Sequence, residues 1–198
     1  MGVTIHFKGS LNRISDMPIF CDEMEDICKD MGWHYVRIDE DLSKPNTAKL
    51  EDKGIVGHMP LKGLVITIAP GCESLIFTFD NKGRLRTPLQ MTMEDIIPPD
   101  QQSVFVKTQY TSPDAHIAII KLLRYIQKRY ISNLSVTDEG EYWETGDRVL
   151  LAQKLDFIDK QIQKLAKGFS NMEFVENESP GSLADRIEAL LKDIVEKR

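Results

Sequence analysis

The sequence predicts an α+β fold: a mixed, mostly antiparallel sheet of about six strands covered by two long helices, with a C-terminal helical extension. Three observations lead there. Short segments of alternating apolar residues recur up to Val136, separated by turns rich in Gly and Pro. Two stretches with apolar residues at helical spacing lie among them. Beyond Asp147 the pattern turns wholly helical, with heptad-like spacing.

Val3, Ile5 and Phe7 alternate with Thr4, His6 and Lys8, as in a half-buried strand. Ser15 or Asp16 can cap the helix that follows, whose stripe is Met17, Phe20, Met24, Ile27, Cys28 and Met31. Gly32 suits the helix exit, and Trp33 to Asp39 reads as the next strand. Residues 40–60, polar and holding Pro45, Gly54, Gly57 and Pro60, read as a long loop. Leu61 to Ala69 is apolar on both faces, which suits a central strand. Pro70-Gly71 turns the chain into the strand of Leu75, Phe77 and Phe79, and Asp80-Asn81-Lys82-Gly83 closes it. Residues 84–102 read as irregular, and Val104 to Tyr110 as a strand. Ser112 caps a helix with Pro113 at its first position and Ile119, Leu122, Leu123, Ile126 and Tyr130 on its apolar side. Leu134 and Val136 form a short strand.

Leu151, Leu155, Ile158, Ile162, Leu165 and Phe169 then make a seam spaced 4-3-4-3-4. Leu183, Ile187, Leu190 and Ile194 continue with the same period in a terminal helix. These seams can cover the sheet, pair with each other or join two copies in a homodimer. The expected division is an α+β domain at 1–147 and a helical extension at 148–198, with a linker near 171–182.

The two strand–helix–strand units also match in spacing. Lys8 to Asp39 and Lys107 to Asp138 each cover the same interval, which raises the expectation of an internal β-α-β duplication. A duplication would place the units in a pseudo-twofold sheet, with the two long helices side by side on one face.

Composition bounds the function. The chain has 198 residues, 41% hydrophobic and 28% charged, in the ordinary globular range. Its longest apolar run, Leu64 to Ala69, is far short of the roughly 18 residues a membrane span requires. The alternating N-terminus lacks the apolar core of a secretory signal. Cys21, Cys28 and Cys72 form no disulfide or metal framework, so the expectation is a cytoplasmic protein. The net charge of −6 argues against nucleic acid and anionic membranes as partners. That charge is patterned: Asp138 to Asp147 holds five acids and no base, and Arg148 to Ser170 holds five bases against two acids.

The acidic segment Asp138-Glu139-Gly140-Glu141-Tyr142-Trp143-Glu144-Thr145-Gly146-Asp147 is the densest constellation. Glu139, Glu141, Tyr142, Trp143 and Glu144 could present an acidic surface with aromatic anchors to a protein partner. Asp138, Glu139 and Glu141 are the alternative metal ligands, because hard cations take oxygen donors, although the spacing matches no calcium loop. Thr145 or Asp147 could instead cap the next helix. Lys107, His116, Glu139 and Asp147 are the candidate catalytic residues, with Lys107 and His116 near a strand end and helix start where anions collect. Lys121, Arg124, Lys128 and Arg129 form a basic face that could meet the acidic segment. No cofactor motif is present. The expectation is a non-catalytic protein-binding or regulatory module, with metal-assisted phosphoryl or ester hydrolysis at 138–147 as the alternative.

Overall fold

The computed structural model describes residues 3–171 and 179–196, except for the side chains of Leu190 and of residues 193–196. The central part of the expected linker, 172–178, and the Leu190 and Ile194 side chains of the terminal seam lie outside the described residues. In chain order the strands are β1 (Thr4–Lys8), β2 (His34–Asp39), β3 (Lys49–Glu51), β4 (Gly54–Val56), β5 (Lys62–Thr67), β6 (Leu75–Phe79), β7 (Val104–Lys107) and β8 (Ser135–Asp138). The helices are α1 (Met17–Met31), α2 (Pro88–Met91), α3 (Pro113–Arg129), α4 (Tyr142–Thr145), α5 (Arg148–Ser170) and α6 (Pro180–Glu196).

The fold is α+β, and every ladder in it is antiparallel rather than mixed. β1 is the centre of one three-stranded ladder, β7-β1-β8, and β5 is the centre of another, β2-β5-β6. The central place of β5 follows from its two apolar faces, since both must be covered. The segment after β6 joins the ladders: Arg84 bridges Ser10, Leu85 bridges Phe79, and the Leu85 amide donates to Gly9 O at 2.9 Å. β6 also lies beside β7, where the Lys107 amide donates to Glu73 Oε2 at 2.9 Å.

Both ladders turn one face to α1 and α3. Ile5, Phe7, Leu64, Ile66, Phe77, Phe79, Val104 and Val106 are buried there against Phe20, Met24 and Cys28 of α1 and Ile119, Leu123 and Ile126 of α3. Phe20 sits edge-on to Phe77, Phe79 and Tyr130, with centroids 5.1–6.0 Å away. Each such side chain contributes roughly 1.5–3 kcal/mol through burial, so this layer dominates stability. Helix ends follow the local chemistry. Gly32 closes α1 at φ 66°, Ser112 Oγ accepts from the Ala115 amide before α3, and Asp147 accepts from the Val149 and Leu150 amides before α5.

Several expectations are corrected. Residues 40–60 are not all loop, because Lys49–Glu51 and Gly54–Val56 pair as a hairpin. Strands of three residues are too short to show alternation. The 84–102 connection contains α2, started by a capping box in which Thr87 and Gln90 bond each other's backbone amides. Asp16 occupies the N-cap of α1 without capping it; its carboxylate pairs with Arg13 Nε at 3.0 Å instead. The matching intervals do not produce a pseudo-twofold sheet. β7 and β8 flank β1 within one ladder, whereas β2 lies in the other ladder beside β5. The long helices are neighbours, with Glu23 of α1 accepting hydrogen bonds from the Tyr125 and Tyr130 hydroxyls.

The first half of α5 belongs to the body. Leu151, Leu155 and Ile158 pack with Val3 and Ile117 in a second apolar cluster. Further along, Ile162 is only partly buried and Phe169 is exposed, and α6 packs on α5 there. The 23-residue helix is about 34 Å long, so its seam outruns the body it covers.

Candidate functional site

The acidic segment begins where β8 leaves its ladder, and its first acid points inward. Asp138 is 4% exposed and accepts from His116 Nε2 at 3.1 Å, from the Gly140 amide at 2.7 Å and from the Trp143 amide at 2.9 Å. On the other side of the ring, His116 Nδ1 lies 2.8 Å from Thr108 Oγ1, which also donates to Val3 O at 3.2 Å. Thr108 directly follows β7, His116 stands in the first turns of α3 and Asp138 ends β8, so one hydrogen-bonded chain fastens three elements. Burial pushes the Asp138 carboxyl up, but the His116 ring and the Trp143 and Gly140 amides push it further down, leaving it below its ordinary range.

The tight loop after Asp138 is shaped for this network. A Cβ on Gly140 would sit 2.8 Å from Leu151 Cδ1 and 2.9 Å from His116 Cε1, so glycine is required by close approach. Glu141 takes a left-handed conformation at φ 58°, unusual for a residue with a side chain. Its carboxylate is held by Lys154 Nζ at 2.7 Å, and its carbonyl accepts from Thr145 Oγ1 at 2.6 Å.

Hydroxyl, imidazole and carboxylate in this order form the set used for nucleophilic catalysis. Here it is closed. Thr108 and His116 are fully buried, and every polar atom in the chain has a protein partner. The ring can donate from Nδ1 to Thr108 while the hydroxyl turns to Val3 O, or accept the hydroxyl proton; in both states Nε2 donates to Asp138. With no substrate access to Thr108, the geometry makes a structural lock.

The other sequence candidates are dispersed. Glu139 Oε2 accepts from the Thr4 amide at 2.8 Å, Glu144 is exposed, and Asp147 is occupied as the α5 cap. Lys107 lies on the outward side of β7, away from the buried His116 ring, so the two form no shared anion site. Among the described residues, no three His, Cys, Asp or Glu side chains converge on a point that could hold a cation. Tyr142 and Trp143 are partly buried against the body. Arg124 meets the segment through its backbone and a ring, donating to Trp143 O at 2.7 Å and lying 5.5 Å from the Trp143 ring centroid. Burial pushes the thiols of Cys21, Cys28 and Cys72 up to about 11, so none is an activated nucleophile.

Beside the lock lies a groove of about 530 Å³ between the start of β1 and α5, lined by Val3, Glu139, Leu150, Gln153, Lys154, Phe157 and Ile158. Leu150 and Phe157 are a second apolar row, seven residues apart, flanking the 151/155/158 seam. They widen the apolar stripe of α5; Leu150 is half-buried and Phe157 is 40% exposed. This spacing was readable in the sequence. No match to this chain is found among known protein families, curated proteins or solved structures. No helix among the described residues is long and apolar enough to cross a membrane.

Proposed function

We propose that this protein is a non-catalytic protein-binding module whose partner docks in the groove between α5 and the start of β1. The observation that carries this reading is the groove itself, about 530 Å³, with Val3, Leu150 and Ile158 among its apolar lining. The charged groups on its rim are already engaged within the chain: Lys154 with Glu141 and with Glu139 O, and Glu139 with the Thr4 amide. An occupant therefore gains chiefly from apolar contact. Seven residues of α5 span about 10.5 Å, the rise between positions i and i+7 of a partner helix. The occupant that fits is an amphipathic helix of another protein, entering with two apolar side chains.

Selection of a displayed library of random helical peptides on the immobilised protein tests this. Enriched peptides should carry paired apolar anchors and bind at least tenfold more weakly to Phe157→Asp, a change at a half-exposed site that leaves the core intact. No enrichment, or enriched peptides indifferent to Phe157→Asp, overturns the reading. A dimer in light scattering that Phe157→Asp converts to monomer would give the groove to a second copy instead.

A further inference from the structure

The outward face of the β7-β1-β8 ladder, opposite the helices, is covered by no described helix or strand and has an unusual composition, with Thr4 buried at one end. His6 pairs across the ladder with Phe105 on one side and Thr137 on the other; Lys8 pairs with Ser135, and Thr4 with Lys107. The inward neighbours Ile5, Phe7, Val104 and Val106 are fully in the core, so alternation sends His6, Lys8, Phe105 and Lys107 outward. The paired residues named here are aromatic, hydroxylic or basic, with the Glu139 carboxylate beside Thr4 at one end, in a chain whose acids outnumber its bases 31 to 25. Phe105 is 53% exposed at mid-strand, and the His6 ring lies beside it with centroids 6.0 Å apart. Carboxylates flank it: Glu139 accepts from the Thr4 amide, Glu73 is tied to the Lys107 amide, and Asp100 offers its carbonyl to Lys8 Nζ at 3.5 Å.

We propose that this face binds single-stranded nucleic acid, with bases stacked on Phe105 and His6 and phosphates held by Lys8 and Lys107. Stacking on aromatic rings tolerates any base, and cations at the margins track the backbone. Lys107 faces Thr4, four residues from Lys8, so the two cations stand about 13 Å apart along the strand, on either side of the aromatic pair. That span suits about two or three nucleotides, the number such sheet aromatics stack. Beside His6 a hollow of about 210 Å³, bounded by Lys8, Gln101, Ser103, Ser135 and Thr137, supplies hydroxyl and amide groups for base edges or sugar. The net charge of −6 describes the whole chain and its acidic C-terminal third; on this face Lys8 and Lys107 supply two cations beside the aromatic pair. The surface is separate from the α5 groove, so its occupancy does not depend on the protein-binding reading.

Fluorescence anisotropy with labelled oligouridylate and oligothymidylate, at about 50 to 200 mM salt, tests the proposal. Saturable binding should appear below ~100 µM and weaken about sevenfold across that range, the slope of about −1.4 expected for two phosphate contacts. Phe105→Ala should weaken binding about tenfold or more, and Lys8→Glu should weaken it and halve the slope. Both sites are on the surface, and an unchanged circular dichroism melt confirms intact folding. Preference between the two oligomers assigns RNA or DNA. No saturable signal, binding unaffected by Phe105→Ala, equal binding of a labelled polyglutamate, or competition by free uridine monophosphate as strong as by the oligomer each overturns it.

Discussion

The two three-stranded ladders share a helix layer on one side and differ on the other. The outward side of β2-β5-β6 is covered at one end by the 40–60 segment and α2, where Ala48, Leu61 and Met91 are buried with Ile38, Ile55 and Met59 packed around them, while Val36 at the other end is 53% exposed. Arg86 is buried on the same side, its Nη2 donating to Gln90 O at 3.1 Å and pairing with Glu94 at 3.2 Å. The outward side of β7-β1-β8 has no such cover, and Phe105 and His6 stand on it. What holds the open ladder is on its inner side and at its end: the common core, and the Thr108–His116–Asp138 chain that ties β7, α3 and β8. One ladder carries a second layer over part of its outward face. The other has no such layer among the described residues and relies on a buried polar lock.

The largest effect should come from that lock. Asp138→Ala leaves the His116 ring and two amides without their acceptor inside the protein, and urea unfolding should show a loss of about 3 kcal/mol or more. A loss below about 1 kcal/mol would mean the open ladder does not depend on it. Next, Met91→Ala, under the cover of the closed ladder, should cost about 2 kcal/mol or more, whereas Phe105→Ala on the open face should stay within about 0.5 kcal/mol. Equal costs at the two positions would erase the contrast between the faces. The smallest effect is pH dependence. The Asp138 pKa is lowered by folding, so its contribution is complete above the ordinary carboxylate value of about 4 and is lost as pH falls through the lower folded-state value. The stability gap between wild type and Asp138→Asn should therefore shrink on acidification in that window. A gap constant down to about pH 2 would refute this.

Much of this was open to inspection in the chain. The Ser112-Pro113 start of α3, the Gly32 exit of α1 and the Asp147 cap of α5 depend on neighbours a few residues away, and they stand where the spacing placed them. The Thr87-x-x-Gln90 box was equally local and marks α2. His116 gave a partial signal too: it lies on the inward stripe of α3 with Ile119, Ile120 and Leu123, and a polar ring buried among aliphatics must find polar partners. Which partners could not be read, because Thr108 and Asp138 lie 8 and 22 residues away on two different strands. The acidic segment shows the opposite case. Five acids close in sequence look like one site, yet Asp138 turns into the core, Glu139 to the Thr4 amide, Glu141 to Lys154 and Asp147 to its helix.

By itself, then, the sequence determined most of the elements, several of their caps and their apolar stripes, because turn chemistry and hydrophobic period act between residues close along the chain. The tertiary structure alone decided that the strands divide into ladders, that one outward face is partly covered by α2 and the 40–60 segment while no described helix or strand covers the other, and that a hydroxyl, a ring and a carboxylate meet in a closed lock. Those outcomes follow from pairing and burial between distant segments, whose free energies are set by which surfaces meet and not by local order.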